Sequence, residues 1–436
     1  MFRQLYQPRL GCVWVERTSL AAGRVASALR LAMLGVIAPA AGHAADIEDF
    51  LTHDFLGATF QPQLDVAEAY TDNVTYAQGV GKIADLQSTF SPGVRILGGD
   101  PQGNRAAVEL THDETLYFDH SGFNYRQNHF KGNAVYSTSR LTFEPTESYE
   151  QLSGFLGGVI GQSGVINLAP RQRDVWSGTL RTTYAWTDRT QIYVDFSHYL
   201  TDWAKDVALY DYTNLRGALG GRYEATDRIQ FFSEAFYGQT GITANQLFQT
   251  PGVASATYGA FIGSSGQFTS RFSGTAKVGM ENRDFFETGR TGVLIPAFDL
   301  DLRYQFSEVT YLKLQYSRRT SPSLNLGGQN VTSDSVSLTA SHLLDEVGVW
   351  EVRGSLTYQL SDYSNTALPG LSSTARKDDF TSADLGVYFH PRPWLTASVG
   401  YAFEYYHVNF ANPSLALRSQ TGYQANRVFL NLSLGF

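Results

Sequence analysis

The strongest constraint in the sequence is a period of two that recurs along most of its length. From residue 60 onward, about eighteen segments, each roughly 9–14 residues long, alternate apolar with polar side chains, as a β-strand does when one face is apolar and the other wet. The segments are separated alternately by short and long connections. The short ones, all turn chemistry, fall at 98–104, 144–147, 187–190, 226–228, 264–270, 307–310, 345–348 and 391–393. The long ones, rich in Asn, Ser, Gly and Asp, fall near 72–83, 120–126, 161–173, 203–210, 240–255, 282–291, 320–331, 362–379 and 408–423. A tilted strand needs about 9–11 residues to cross a bilayer, and turn alternating with loop is the pattern of an up-and-down barrel. The fold class expected is all-β: a transmembrane antiparallel up-and-down β-barrel of about 18 strands. Because segments 105–119, 127–143 and 256–264 alternate less clearly, 16 is the alternative count.

The faces can be assigned strand by strand. Trp176, Leu180, Tyr184 and Trp186 oppose Ser177, Thr179, Arg181 and Thr183, while Ile192, Val194, Phe196 and Leu200 oppose Gln191, Asp195 and Ser197. Leu300, Leu302 and Tyr304 oppose Asp299, Asp301, Arg303 and Gln305, and Val352, Leu356 and Tyr358 oppose Glu351, Arg353, Ser355, Thr357 and Gln359. The closing segment puts Val428, Leu430, Leu432, Leu434 and Phe436 opposite Arg427, Asn431, Ser433 and Gly435. A soluble sandwich also alternates. Against it, aromatic residues (Trp176, Trp186, Tyr304, Phe306, Trp350, Tyr358) gather at the ends of the apolar stripes, as an interfacial girdle would. The opposite face also carries full charges at mid-strand, which a dry core could not hold unpaired.

Composition agrees with this. There are 28 Phe, 25 Tyr and 41 Gly against three Met, and beyond residue 40 no apolar run approaches the roughly 20 residues of a spanning helix. A net charge of −8 with no basic stripe argues against a nucleic-acid partner. The single cysteine, Cys12, precedes the expected processing site, so a thiolate metal site, disulfide framework or cysteine nucleophile is not expected in the mature chain. Residues 1–44 read as a signal peptide: Arg3, Arg9, Arg17, Arg24 and Arg30 form the basic region and 31–37 the apolar core. The small residues of 40–45 follow, with cleavage after Ala44. Residues 45–58 are then a periplasmic lead-in and 59–436 the barrel. An even strand count places both ends and the short turns on the periplasmic side, and the last strand closes on the first, 60–71.

Candidate chemistry is sparse. Ser197 with His198, and Ser341 with His342, point to opposite faces and cannot work as pairs. His112 and Asp119-His120 near a loop are the residues on which a hydrolase reading would depend. Asp72, Asp206, Asp211, Asp378 and Asp379 lack the spacing of a calcium loop. Gly157-Gly158 and Gly220-Gly221 sit in strands, where they relieve curvature or make room for a neighbouring ring rather than cradle phosphate. The expected working surface is therefore the lumen. Arg181, Arg216, Arg222, Lys277, Arg303, Lys313 and Arg353 line it, mixed with Asp195, Glu224, Glu234, Asp299, Asp301, Glu351 and Glu404. Arg319 belongs with them, and no metal, catalytic residue or cofactor is assigned. Basic and acidic groups balance roughly, so strong selection for one ion sign is not expected.

Tyr70-Thr-Asp-Asn-Val74 followed by Ser91-Pro-Gly-Val94 resembles the start of the β-barrel porin type 2 family. That resemblance implies an outer-membrane barrel associated with exopolysaccharide or capsule systems. It carries over no catalytic residue, and Asp72 and Asn73 are read here only as an Asx-type turn. The expectation is an outer-membrane channel for a hydrated solute, an exported polysaccharide among them. A structural scaffold with a plugged lumen and a barrel hydrolase are the alternatives. Outer-membrane lipid, periplasmic export components and the barrel-assembly machinery reading Phe436 are the expected partners.

Overall fold

In a computed structural model the described residues are 52–55, 57–78, 81–155, 171–204, 211–243, 252–286, 292–322, 330–363, 376–410 and 422–435. Residues 1–44, expected from the sequence to be a signal peptide, Phe436, Asp206 and Gly157-Gly158 lie outside them. A short strand, β1 (His53–Phe55), is followed by β2 (Ala58–Thr71), β3 (Asp85–Gly99), β4 (Arg105–Tyr117), β5 (Tyr125–Ser137), β6 (Leu141–Leu152) and β7 (Arg173–Ala185). Next come β8 (Thr190–Trp203), β9 (Tyr212–Glu224), β10 (Ile229–Ile242), β11 (Val253–Gln267), β12 (Phe272–Phe285) and β13 (Val293–Ser307). The last are β14 (Thr310–Pro322), β15 (Asn330–Leu343), β16 (Trp350–Tyr363), β17 (Arg376–Arg392), β18 (Leu395–Phe410) and β19 (Tyr423–Leu434).

From β2 to β19 each strand pairs antiparallel with the next. β19 then returns to β2 with Arg427 opposite Thr71 and Leu434 opposite Leu64. The result is a closed 18-strand barrel, and closure removes the edge whose unpaired N–H and C=O groups hydrocarbon could not satisfy. β1 folds back on β2, His53 opposite Phe60, so the end of the lead-in is a strand at the turn end of the barrel.

Two features differ from the sequence expectation. The turn placed at 144–147 lies inside β6, and the chain reverses at 138–140, where the Thr138 amide donates to Leu141 O at 2.8 Å. Pro145 misled the reading. It occupies a gap in the β5–β6 ladder between Asn133–Thr146 and Tyr136–Phe143, where its missing N–H costs nothing, while β6 still pairs with β7 through Pro145 and Leu180. Likewise 264–267 belongs to β11, which turns only after Gln267. The second difference is length. The barrel strands run 12–17 residues and extend into several stretches read as loops, such as 376–379 and 282–285. Beyond the apolar band both faces of a strand are wet, so the alternation that marks it disappears while its backbone pairing continues.

Candidate functional site

Closure fixes which face is which. Trp176, Leu180, Val194, Phe196, Ile262, Leu356, Leu385, Val428 and Leu430 are all exposed on the outside, and the alternate residues of each strand point inward. All fourteen residues expected to line the lumen lie on this inner face.

The inner wall is built in three steps. Inward glycines leave bare backbone, inward aromatic rings from the adjacent strand lie over it, and cations sit over the rings. A Cβ on Gly220 would fall within 2.6 Å of Tyr193 Cε1, and one on Gly263 within 2.5 Å of Phe232 Cζ. Phe236 covers Gly259, Phe261 covers Gly279 and Phe429 covers Gly400 in the same way. Gly220 thus makes room for a ring, as its place in a strand suggested. Above these rings stand Arg181 (5.0 Å from the Tyr193 centroid), Arg222 (5.9 Å, same ring), Arg216 (4.4 Å, Phe236), Lys277 and Arg319 (5.3 and 4.9 Å, Phe261). Farther round, Arg303 lies 4.0 Å from Tyr311 and Arg353 4.9 Å from Tyr388. The quadrupole of each ring attracts its cation and holds it flat against the wall.

Most of these cations are also ion-paired, across strands except for Arg353, whose partner Glu351 lies two residues away on β16 itself. Arg181 meets Asp195 at 2.6 Å, Arg216 meets Glu234, Lys277 and Arg319 share Asp299 at 3.3 and 2.8 Å, Lys313 meets Asp301 at 3.0 Å, and Arg353 meets Glu351 at 2.9 Å. Arg222 and Arg303 have rings but no carboxylate partner among the described residues. Glu404 accepts the Tyr423 hydroxyl at 3.0 Å, and Glu224 closes β9 at the turn end.

The two halves of the lumen differ. Toward the turn end some inward cations are accessible, Arg303 exposed and the Arg353 side chain 43% exposed, although Tyr193, Ser341 and Glu351 there are buried. Toward the loop end the inward side chains are buried, among them Trp203, Thr240, Arg283, Ser361, Tyr363, Arg376, Asp378 and Tyr406. Arg376 and Asp378 form an ion pair of 2.6 Å that also takes in the Tyr406 hydroxyl. Segment 72–78 folds over this end. The Asp72 carboxylate accepts the Asn426 amide (2.7 Å) and side chain (2.6 Å), the fully buried Asn73 donates to Gln424 O at 2.8 Å, and Tyr76 packs edge-on against Tyr423 at 5.1 Å. Near it, at the loop end of β4, Phe123 and Phe155 pack against Tyr117. Asp72 and Asn73 therefore do more than form a strand-end turn: they fasten an inward segment.

The wall at β4–β6 carries a group that the sequence reading missed. His129 lies 3.0 Å from Asp113 and 3.6 Å from Glu150, beside Asp65, Glu109 and Lys131, in an inner recess of about 430 Å³. Extending the period of two from Leu110, which faces outward, through segment 105–119 would have put Asp113 inside. His129 comes from the segment whose alternation was least clear. The other candidates are dispersed. Ser197 faces inward and His198 outward; Ser341 bonds Glu351 (2.6 Å) on the inside while His342 meets Thr310 (2.8 Å) outside. His112 is on the outer face against Asn128 (2.7 Å), and His120 is held by Asp85 (2.8 Å), so the structure does not bring the two together. Asp211 accepts the Trp203 amide and Asp379 the Tyr358 hydroxyl, each at 2.8 Å. Among the described residues no group of three or more His, Cys, Asp or Glu is arranged to hold a metal ion.

No protein-family model matches the sequence, and no curated protein sequence does. Solved structures that are similar include the outer membrane protein OpdK from Pseudomonas aeruginosa (10% identity, 86% of this chain, 99% of that one, TM-score 0.44). OccK2 (OpdF) from the same organism (10%, 86%, 98%, 0.46) and OccAB4 from Acinetobacter baumannii (9%, 86%, 98%, 0.44) are others.

Proposed function

We propose that this chain is an outer-membrane channel whose lumen stands open toward the periplasm and is closed at its loop end until that end rearranges. One observation carries the reading: a closed barrel has an apolar outer face and an inner face of paired charges, hydroxyls and aromatic rings. The outer face suits hydrocarbon, and the inner one suits water and a hydrated solute. For the cargo we propose a glycan, including an exported polysaccharide. Rings held flat against the wall offer stacking faces, and arginines beside carboxylates offer donors and acceptors for hydroxyl groups. The resemblance at Tyr70–Val74 points the same way, and a polymer would require segment 72–78 to move.

The test is conductance of the purified barrel in planar bilayers, with and without oligosaccharide in the bath. The reading expects ion conductance that oligosaccharide blocks. A folded barrel that conducts but ignores oligosaccharides would remove the cargo, and one that never conducts would remove the channel. The buried loop half favours a second reading, a scaffold with a plugged lumen, which expects no conductance at any voltage and co-purification with periplasmic partners.

A further inference from the structure

The outer face is apolar at mid-strand except at a few positions: Glu68 accepts the Ser88 hydroxyl at 2.7 Å on β2–β3, and a fuller polar group stands on β6–β8. There Glu147 and His198 form an ion pair of 3.0 Å (Nε2 to Oε1), and the Trp176 indole N–H donates to the same Glu147 oxygen. The two side chains lie across the bare backbone of Gly178, where an added Cβ would meet His198 Cε1 at 2.6 Å and Glu147 Cδ at 2.9 Å. Their outward neighbours along each strand are apolar: Pro145 and Tyr149 beside Glu147, Phe196 and Leu200 beside His198, Trp176 and Leu180 beside Gly178. The pair therefore sits within the apolar band and not at its rim. By contrast, Arg318–Asp334 and Asp362–Lys377 lie near the loop ends of their strands. A second outward polar string, His112–Asn128–Gln151 with bonds of 2.7 and 2.8 Å, continues the wall across β4–β6 toward the loop end.

Acyl chains offer such groups no hydrogen bonds, so intramembrane ionisable residues face protein or water. We infer that the β6–β8 wall is covered by the same wall of a second copy of this chain, Glu147 of one copy facing His198 of the other across Gly178. The inference rests on the outer-membrane reading above. Symmetry and charge select the occupant. Copies inserted in one orientation can be related only by an axis along the membrane normal, which keeps every atom at its depth. A two-fold contact must therefore be complementary to itself within one depth. Glu147 and His198 touch and so share a depth, and one offers acceptor oxygens where the other offers ring nitrogens. Each also keeps a polar atom, Glu147 Oε2 and His198 Nδ1, with no partner among the described residues. A protonated imidazole donates from both nitrogens, so Nδ1–H of one copy matches Oε2 of the other.

The experiment is disulfide cross-linking of the full-length protein in native membranes, with Cys12→Ser removing the one natural thiol. Leu180→Cys, beside the proposed axis, is expected to give disulfide-linked dimers in at least tenfold higher yield than Leu356→Cys on β16. Adding Glu147→Leu with His198→Leu to Leu180→Cys is expected to lower that yield about tenfold while the barrel still shows heat-modifiable migration. Equal yields from Leu180→Cys and Leu356→Cys, a monomer in the membrane, or a yield untouched by the double leucine variant would each overturn the inference. Should the double variant fail to fold, the two single-cysteine chains still decide. Protein absent from the membrane fraction would instead sink the outer-membrane reading, whereas membrane-embedded monomer leaves that reading standing.

Discussion

Replacing Gly220 by alanine tests the way the lumen wall is built. The new methyl would come within 2.6 Å of Tyr193 Cε1, and nearer to Cζ, where carbon atoms rest about 3.5–4.0 Å apart, so the ring must recede by roughly 1.5 Å. Tyr193 is 4% exposed, lies beneath Arg181 and Arg222, and donates its hydroxyl to Glu234 Oε2 at 3.3 Å. Loosening two cation–ring contacts, each worth about 0.5–1 kcal/mol, and one hydrogen bond, worth about 1 kcal/mol, comes to about 2–3 kcal/mol. Overpacking elsewhere costs about 1–3 kcal/mol, the same range. Reversible urea unfolding in phospholipid vesicles, followed by tryptophan fluorescence, should then show a midpoint lowered by about 1 M for a denaturant slope near 2–3 kcal/mol per M. Gly221→Ala is the matched control. Its side faces outward and its nearest neighbour, Gln191 O, is 4.0 Å away, so it should be neutral or slightly stabilising. In a Tyr193→Ala background the Gly220→Ala cost should vanish, since the two residues couple only through the ring. Equal costs at Gly220 and Gly221, or a Gly220 cost that survives removal of Tyr193, would refute the idea that rings lying on glycines organise the wall.

Three further outcomes follow from the same geometry. Arg303→Ala removes an accessible cation held only by Gln305 (3.2 Å) and the Tyr311 ring, and should move the reversal potential in a salt gradient toward cation selectivity; no movement would mean that ions do not pass that wall. Asp72→Ala deletes both bonds to Asn426, worth roughly 1.5–3 kcal/mol each, and should raise the open fraction in single-channel records about tenfold or more. An unchanged open fraction would show that segment 72–78 is not the closure. Asp378→Leu removes the carboxylate paired with Arg376, whose side chain is 3% exposed, and should cost about 3 kcal/mol by the same urea assay, whereas solvent-exposed Asp362→Leu should cost less than about 1 kcal/mol.

Where the sequence succeeded and where it failed have one cause. Alternation is informative only while one face of a strand meets hydrocarbon and the other meets water. Within that band Arg181, Asp195, Asp299, Arg303 and Arg353 could be assigned from parity alone. Outside it, 376–379 and 282–285 read as loop although they pair as strand, because both faces are wet there. Pro145 read as a turn because a proline's tolerance depends on whether the neighbouring strand needs its N–H, which only the β5–β6 gap reveals. Asp113 and His129 were legible in part, since each follows the parity of its own strand. Their meeting with Glu150 depends on register between three strands, which no single segment encodes.

The sequence by itself determined that the chain is an all-β barrel of about eighteen strands, and largely which side chains face in, because parity is a local property of a pleated backbone. The tertiary structure alone decided which inward residues meet, how segment 72–78 is fastened to β19 through Asp72, Asn73 and Tyr76, and that Glu147 and His198 share one spot on the outer wall. Those are matters of register and closure. They arise only when strands distant in the chain are set side by side, as Asp72 is with Asn426, residues at opposite ends of the barrel sequence that closure makes neighbours.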